Sequence, residues 1–352
     1  MGFRYDRGAR AMSVYDIAVI GAGAAGSLAA VRAAQCGAKV ALIERNDRIG
    51  RKILLTGNGR CNITNSADLE TFVDRFAERG PFLRTALYAF FNRELLELFS
   101  AKGLEFREEV GGCFFPVTDT ASSVISVLME YLAQFHVDVI YGMRVTGVRQ
   151  QAGGFLVEGC GCPGIEAHRI ILACGGGTYR TTGTTGDGYL IAQKLGHLVI
   201  APRPALVPLV TSDQWVREVQ GVSLKEVEAS LAGNKKIAGR GDMLFTHFGI
   251  SGPLALNISG MVVERLAAER TVGLRIDLKP GERVEEVDAE LGRIFKIHGA
   301  AELKTVMKSI LTQRLVPIIL NLAGIDAARR ASQVANVERR RLAALLKGLP
   351  LT

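Results

Sequence analysis

The pattern of apolar and polar positions is most regular near the start of the chain. Residues 15–20 (YDIAVI) form an apolar run, the glycine-rich GAGAAG follows at 21–26, and a helix-prone stretch continues to residue 38. A second apolar run, KVALI at 39–43, ends directly before Glu44. This order predicts a strand, a tight glycine turn, a helix and a second parallel strand that ends in an acid.

Each glycine in GAGAAG has a separate predicted task. Gly21 makes the tight turn, Gly23 lets the backbone approach a pyrophosphate at the helix N-terminus, and Gly26 permits close packing of helix on strand. Glu44 is placed to accept hydrogen bonds from both hydroxyls of a ribose, and its charge would repel a 2′-phosphate. The motif therefore predicts FAD or NAD rather than NADP. The alternative is a glycine-rich turn without a ligand.

The remainder of the first half alternates helical and extended patterns. Residues 68–134 are mostly helical, with a short extended piece at 104–119, and residues 137–172 alternate in the manner of strands. The last of these strands runs into Cys174-Gly175-Gly176-Gly177, a second glycine cluster at the carboxyl end of a strand, where open α/β sheets bind ligands. The predicted fold class is α/β, with a Rossmann-like FAD/NAD(P)-binding domain.

The pattern of apolar, polar and turn-forming residues changes after residue 200. Prolines at 202, 204 and 208 predict a boundary, residues 206–278 have strand and turn patterns, and the chain beyond Pro280 is helical. We therefore predict a leader at 1–13, a Rossmann-like domain with a helical insertion and a β-meander at 14–200, and a second domain at 201–352. That domain divides into a β part (201–280) and a helical part (281–352).

Composition narrows the class of protein. With 352 residues, 48% of them hydrophobic, the chain can bury two cores. It has no apolar run of membrane-spanning length and no signal-peptide pattern, which predicts a cytoplasmic protein without a membrane partner. The six cysteines form no CxxC pair with a nearby histidine, so no metal site is predicted.

The net charge of +8 permits an anionic partner, which includes a phosphate-bearing cofactor or RNA. However, the positive charges are scattered apart from Arg339-Arg340-Arg341, which has no interleaved aromatic residues. We interpret that cluster as a solvated helical face, and nucleic acid as the less favoured partner.

The stretch KILLTGNGRCNITN at 52–65 uses Gly, Asn and Thr heavily. Such a loop offers unusual backbone conformations and many amide donors and acceptors, which suit a flat, polar ring. A turn-rich connector is the alternative, and the stretch alone does not decide between the two.

The motifs together resemble the HI0933-like, or YhiN-like, flavoprotein family, which includes the bile-acid reductase BaiN and proteins labelled aminoacetone oxidase. The resemblance covers nearly the whole chain from about Val14. It is carried by the first fingerprint with Glu44-Arg45, GRKILLTGNGRCN at 50–62, GCFFP at 112–116, GTTGDGY at 183–189, RPALVPL at 203–209 and LFTHFGISGP at 244–253.

This resemblance implies tightly held FAD in a Rossmann-like domain of the two-dinucleotide type, with an inserted β-rich domain and a helical appendage. It also implies that Arg51 and Lys52 lie near the pyrophosphate, that residues 56–62 border the isoalloxazine ring, and that the main chain of Val145 holds the adenine. The predicted FAD-binding residues are Gly21, Gly23, Ala24, Ala25, Gly26, Glu44, Arg45, Gly50, Arg51, Lys52, Thr56, Gly57, Asn58, Gly59, Arg60, Cys61, Asn62, Val145, Ala173, Gly175 and Gly176.

Family members usually continue past the position where this sequence stops, with a further strand and a GxxGGYN-type segment that opens the final helix. The resemblance therefore implies that a segment closing the FAD domain is missing here. From that we expect weaker FAD binding and exposed apolar sheet surface, or help from a partner.

The expected reaction is hydride transfer through flavin N5, between NADH, NADPH or a small-molecule donor and an unsaturated, amine or carbonyl substrate. His247 is the first candidate for a proton carrier, because the pKa of histidine suits neutral pH. Its alternative role is that of a hydrogen-bonded loop residue. Cys61 is a second candidate, as a redox partner or flavin adduct, and simple packing is its alternative.

Three functions stay open at this stage. The leading one is an FAD-dependent oxidoreductase acting on a small or steroid-like molecule. The second is a flavin-dependent RNA-modifying enzyme, and the third is a catalytically impaired flavoprotein that serves as a binding module. The sequence leaves the oligomeric state and the substrate open.

Overall fold

The structure is a computed structural model that describes residues 14–76, 79–160, 163–233 and 237–352. The predicted leader at 1–13 lies outside the described residues. The chain divides into two compact units between Ile200 and Ala201, and we describe each unit by itself.

The first unit is built on a mixed sheet whose central part is parallel. Its strands are β1 (Tyr15–Ile20), β2 (Val40–Ile43), β6 (Asp138–Ile140), β7 (Val145–Gln151), β8 (Gly154–Gly159) and β9 (Ile165–Leu172). Their order is β6-β2-β1-β9-β8-β7. Val19 of β1 pairs in parallel with Leu42 of β2 on one side and with Ile171 of β9 on the other. This is the order of a Rossmann-like fold, with β7 and β8 as an antiparallel meander.

Helices and a small antiparallel sheet complete the first unit. The helices are α1 (Ala24–Gln35), α2 (Leu69–Asp74), α3 (Gly80–Ala89), α4 (Asn92–Ser100), α5 (Ala121–Gln134) and α6 (Asp187–Lys194), with 3-10 turns at Ile53–Gly59 and Arg180–Thr182. The small sheet has the order β3 (Thr64–Asn65), β5 (Cys113–Pro116) and β4 (Phe106–Glu109). Buried side chains of α1 and α5 cover one face of the central strands, and a second buried cluster that includes Met143 and Ile191 covers the other. Because both faces are buried, the strands are continuous apolar runs in the sequence.

The second unit contains an antiparallel sheet and a group of helices around one core. The strands are β10 (Leu209–Val210), β11 (Ser223–Leu231), β12 (Ile237–Phe245), β13 (Gly249–Ser251), β14 (Leu274–Asp277) and β15 (Leu349–Leu351), in the order β10-β13-β12-β11-β14-β15. The helices are α7 (Pro253–Leu266), α8 (Val284–Ile297), α9 (Leu303–Met307), α10 (Val316–Ala323) and α11 (Asn336–Leu346), with 3-10 turns at Gln214–Val219 and Ala331–Gln333.

Two elements of the second unit differ from the sequence pattern. Residues 253–266 form helix α7 inside the stretch that reads as strands and turns, because Leu254, Ile258 and Val262 recur at helical spacing and are buried. Residues 349–351 form strand β15, which pairs with β14 and returns to the sheet after the helices. Three residues are too short a pattern to reveal a strand.

In the described part of the chain, no helix combines the length and apolarity needed to cross a membrane. Within the same residues, no group of His, Cys, Asp and Glu side chains is arranged to hold a metal ion.

Candidate cofactor site

A cavity of about 700 Å³ opens in the first unit at the carboxyl ends of β1, β2 and β9. Its walls come from the glycine turn before α1, the residues after β2, the start of β7 and the segment that leads into α6. Parallel α/β sheets bind ligands at this edge, because strand ends there are followed by loops and helix N-termini. The cavity is large enough for a dinucleotide-sized ligand.

The glycine turn forms a cradle at the N-terminus of α1. Gly21 has φ +104°, a conformation that favours glycine, and a Cβ at Gly26 would lie 1.8 Å from the carbonyl oxygen of Gly21. A Cβ at Gly23, in contrast, would meet nothing within 4 Å, so this position faces open space in the cavity wall. No side chain caps α1, which leaves its first N–H groups and its positive dipole end for an anion.

Glu44 is one of the few buried charged residues, with 7% of its surface exposed. Its Oε2 accepts a hydrogen bond of 2.9 Å from Ala22 N, and its Oε1 accepts bonds of 2.9 and 2.6 Å from Asn46 N and Nδ2. These donors fix the carboxylate at the end of β2 within the cavity wall. These three bonds take three of about four lone-pair sites of the carboxylate, and the remaining one, on Oε2, suits a hydroxyl of a ribose.

Two cations line the cavity after the second strand. Arg51 donates a hydrogen bond of 3.0 Å from Nη1 to Asn46 Oδ1, and Lys52 lies beside it in the wall. Neither side chain forms a salt bridge with a residue that the structure describes. Together with the amino end of α1, they make the cavity suited to a diphosphate. The site therefore fits an adenine dinucleotide by its glycine cradle, its buried acid and its uncompensated cations.

The opposite wall contains an ion-paired network that sequence reasoning did not find. Arg144 donates two bonds to Asp187, of 2.9 and 3.1 Å, and thereby ties the start of β7 to the first residue of α6. Arg45 donates from Nη1 to Gly183 O at 3.0 Å and to Thr185 Oγ1 at 2.9 Å, and lies 3.7 Å from Asp187. Residues 183–187 are thus held by hydrogen bonds from Arg45, which follows β2, and from Arg144, which precedes β7.

The hydrogen-bonded pair of Arg144 and Asp187 predicts that the stability of the fold depends on pH. The hydrogen bond from Arg144 is the main cause that lowers the pKa of Asp187, while burial works in the opposite direction. A lowered pKa contributes stability that is present above the unfolded pKa, about 3.9, and is lost as the pH falls through the folded value. We expect Asp187→Asn to cost about 1 kcal/mol at pH 7, because Arg144 is half exposed, and to flatten the fall in stability as the pH drops below about 4. Urea unfolding as a function of pH measures this. A wild-type slope retained in Asp187→Asn would contradict the assignment.

The loop at 57–62 has a strained backbone and is held in place by contacts with the small antiparallel sheet. Asn58 and Cys61 have φ of +55° and +68°, in the left-handed region that side chains rarely adopt. The guanidinium of Arg60 lies 4.0 Å from the ring centroid of Phe115 and donates to Glu109 at 2.7 Å. The small sheet β3–β5–β4 therefore braces this loop. Because Cys61 N donates to Thr56 O at 3.0 Å, the brace reaches Thr56 in the cavity wall.

Neither of the two candidate catalytic residues is among the residues that line the cavity of the first unit. Cys61 is buried, and burial raises the pKa of its thiol, so the reactive thiolate is disfavoured. His247 belongs to the second unit, where it lies exposed in the turn between β12 and β13 and meets Phe248 edge to face. Its role as a proton carrier stays a prediction.

The structure brings most of the predicted cofactor residues together. Those that line the cavity are Gly21, Gly23, Ala24, Ala25, Glu44, Arg45, Gly50, Arg51, Lys52, Thr56, Val145, Ala173 and Gly175. Two predicted glycines do not line the cavity: Gly26 packs beneath the turn, and Gly176 lies beside Tyr189. The other predicted residues outside the lining belong to the 57–62 loop and are Gly57, Asn58, Gly59, Arg60, Cys61 and Asn62. Asn46, Arg144 and Asp187 also line the cavity, and the TTGDG motif was the available signal for Asp187.

The fold and the cavity define the chain as a Rossmann-type dinucleotide-binding protein. The family model described as HI0933-like protein Rossmann domain matches residues 15–245, and that described as HI0933-like protein barrel and H2TH domain matches residues 203–352. The chain therefore belongs to the HI0933-like family, and it is an FAD-dependent oxidoreductase.

Relatives with a described activity include two different reductases. The 3-dehydro-bile acid delta(4,6)-reductase of Clostridium scindens is 33% identical over 90% of this chain and 78% of its own length. The ribosomal RNA dihydrouridine synthase of Haemophilus influenzae is 30% identical over 85% of this chain and 72% of its own length. Among solved structures, the open form of a flavocytochrome c3 fumarate reductase is similar with 19% identity and a TM-score of 0.43, covering 60% of this chain and 47% of that one.

Proposed function

We propose that the chain binds FAD in the first-unit cavity and reduces a carbon–carbon double bond in a ring that also carries a carbonyl, with NADH or NADPH as the electron donor. The observation that carries the proposal is the cavity itself, in which a glycine cradle, a buried acid and two uncompensated cations meet at one sheet edge. Flavin, when bound, supplies the hydride chemistry.

The residues of the cavity would have separate parts in holding FAD. The N-terminus of α1 and Gly23 would receive the pyrophosphate, and Arg51 and Lys52 would offset its charge. Glu44 would accept a hydrogen bond from a hydroxyl of the adenosine ribose, and the main chain at Val145 would face the adenine.

The chemical class of the substrate is supported by what the relatives' names have in common. A delta(4,6)-reductase and a dihydrouridine synthase both add hydrogen across a ring double bond, one in a bile acid and the other in a uracil base of RNA. A small, steroid-like enone is our leading substrate class, since the relative with the higher identity acts on a bile acid. A uracil base in RNA is the second candidate, and it is favoured by the relative named as a ribosomal RNA dihydrouridine synthase, which is 30% identical over 85% of this chain.

The test is anaerobic spectroscopy of the purified chain with added FAD. We expect the visible absorption bands of bound oxidised flavin, bleaching by NADH or NADPH, and reoxidation by a 3-oxo-Δ4 steroid or by a uridine-containing RNA. Free FAD with the same nucleotides is the control. Protein that is colourless after excess FAD has been removed by gel filtration would refute the cofactor assignment. Bound flavin that no nicotinamide reduces would instead favour the binding-module interpretation.

A further inference from the structure

The second unit carries an exposed basic surface around the junction of α8 and α9. It consists of Arg293 and Lys296 in the last turns of α8, Lys304 in α9, Lys308 directly after α9, and Arg330. All five side chains are exposed. We call these residues the α8–α9 basic surface.

Backbone contacts bring the separate segments of this surface together. Gly299 O accepts a hydrogen bond of 3.1 Å from Ser332 N, and Ala301 O accepts one of 3.0 Å from Ala331 N. Glu302 and Arg330 pair as an isolated antiparallel bridge. The residue before Ala331 therefore lies directly beside the turn that joins α8 to α9.

The charges of this surface are largely uncompensated. Arg293, Lys296, Lys308 and Arg330 form no salt bridge with a described residue, while Lys304 pairs with Glu302 at 2.9 Å. The nearby Asp326 accepts a hydrogen bond from Ala328 N, and its charge offsets a part of this positive charge. Lys296 near the end of α8 and Lys308 directly after α9 lie where a helix dipole favours a cation, which does not account for Arg293 and Arg330.

The cluster Arg339-Arg340-Arg341, in the same unit, differs from this surface because two of its three side chains have hydrogen-bond partners. Arg339 donates two bonds to Asp288, of 2.9 and 3.1 Å, and Arg341 donates to Ala323 O at 2.9 Å at the end of α10. Two of its three cations therefore serve packing between helices. The most obvious basic run in the sequence is thus not the free positive surface of the unit.

We propose that the α8–α9 basic surface binds the phosphate backbone of RNA. Exposed cations without partners attract phosphates by releasing counterions, and this needs no base-specific contact. The choice of RNA over other polyanions rests on the proposed function, whose second candidate substrate is a base in RNA. The surface would contact the nucleic acid through its phosphate backbone, and contacts of that kind do not select a base.

The test uses fluorescence anisotropy of a labelled RNA hairpin with uridines in its loop, titrated with the full chain at several salt concentrations. We expect the quadruple substitution R293A/K296A/K308A/R330A to weaken binding at least about tenfold at 0.1 M salt and to reduce the slope of log K against log salt by about 3. The melting temperature and the flavin spectrum should be unchanged, because the four side chains are exposed and make no salt bridges.

The matched control removes the same charge from elsewhere in the unit. K225A/R240A/R265A/R270A also deletes four cations, three of which are ion-paired to Asp242, Glu226 and Glu269. Equal weakening by both variants, or no RNA binding by the wild-type chain, would overturn the proposal. So would binding to vesicles of phosphatidylglycerol and phosphatidylcholine without binding to RNA. RNA binding without flavin turnover would uphold the surface and count against the proposed function alone.

Discussion

Replacing Gly26 with alanine is expected to lower the melting temperature of the chain by about 10 °C and to abolish FAD binding. The added Cβ would lie 1.8 Å from the carbonyl oxygen of Gly21, a backbone atom that cannot swing aside. The turn or α1 must shift, at a cost of about 3 kcal/mol or more, and in a unit of this size each kcal/mol lowers the melting temperature by roughly 2–4 °C. Thermal unfolding followed by circular dichroism measures the effect.

Gly23→Ala is the matched control for this prediction. Gly23 has φ −79° and ψ −171°, which alanine adopts without strain, and its Cβ would enter open space. The melting temperature of the apoprotein should therefore stay within about 1 °C of wild type. FAD affinity should fall by at least about tenfold, because the methyl group takes the place where a pyrophosphate approaches the backbone. Unchanged FAD affinity in Gly23→Ala would place the cofactor elsewhere.

The second large effect is expected at Glu44. Glu44→Ala should reduce FAD affinity between about 10- and 100-fold, since a hydrogen bond to a charged group contributes roughly 1.5–3 kcal/mol and a ribose hydroxyl loses its acceptor. The same change leaves the buried donors of Ala22 and Asn46 without their acceptor, so the apoprotein should also lose about 2 kcal/mol of stability. Quenching of FAD fluorescence during titration with apoprotein reports the affinity.

Glu130→Ala is the control for the loss of an acidic side chain. Its carboxylate is more than half exposed and lies 3.9 Å from Lys102, so neither stability nor FAD affinity should change measurably. If Glu44→Ala bound FAD as tightly as Glu130→Ala, the assignment of Glu44 to the ribose would fail.

The first strand, the glycine turn, α1 and β2 were predictable because their signals are local. Each apolar run is long enough to fill one strand, and Gly21 and Gly26 take positions where a side chain would meet the backbone. The fold class follows from these elements, and the family match confirms it. These elements can be predicted from neighbouring residues alone, without knowing which distant residues they contact.

The far wall of the cavity and the contacts that hold the 57–62 loop were not predictable from local pattern. Arg45 and Thr185 are separated by 140 positions, and Arg60 and Glu109 by 49. Nothing in the residues near Arg60 shows that Phe115 and Glu109 will lie beside it. Likewise, Asp187 reads as a helix cap until the strand that carries Arg144 is placed next to it.

The pairing of β1 with β9 has a consequence for synthesis of the chain. β1 is complete at residue 20, but Ile171, the partner of Val19 on its second edge, follows 152 positions later. At a translation rate of 5–20 residues per second, the ribosome needs on the order of 10 s to make the missing strand. During that interval an apolar strand with an open edge is available to neighbouring nascent chains. Holdase chaperones that cover the first 60 residues should therefore increase the yield of folded protein more than chaperones acting after release.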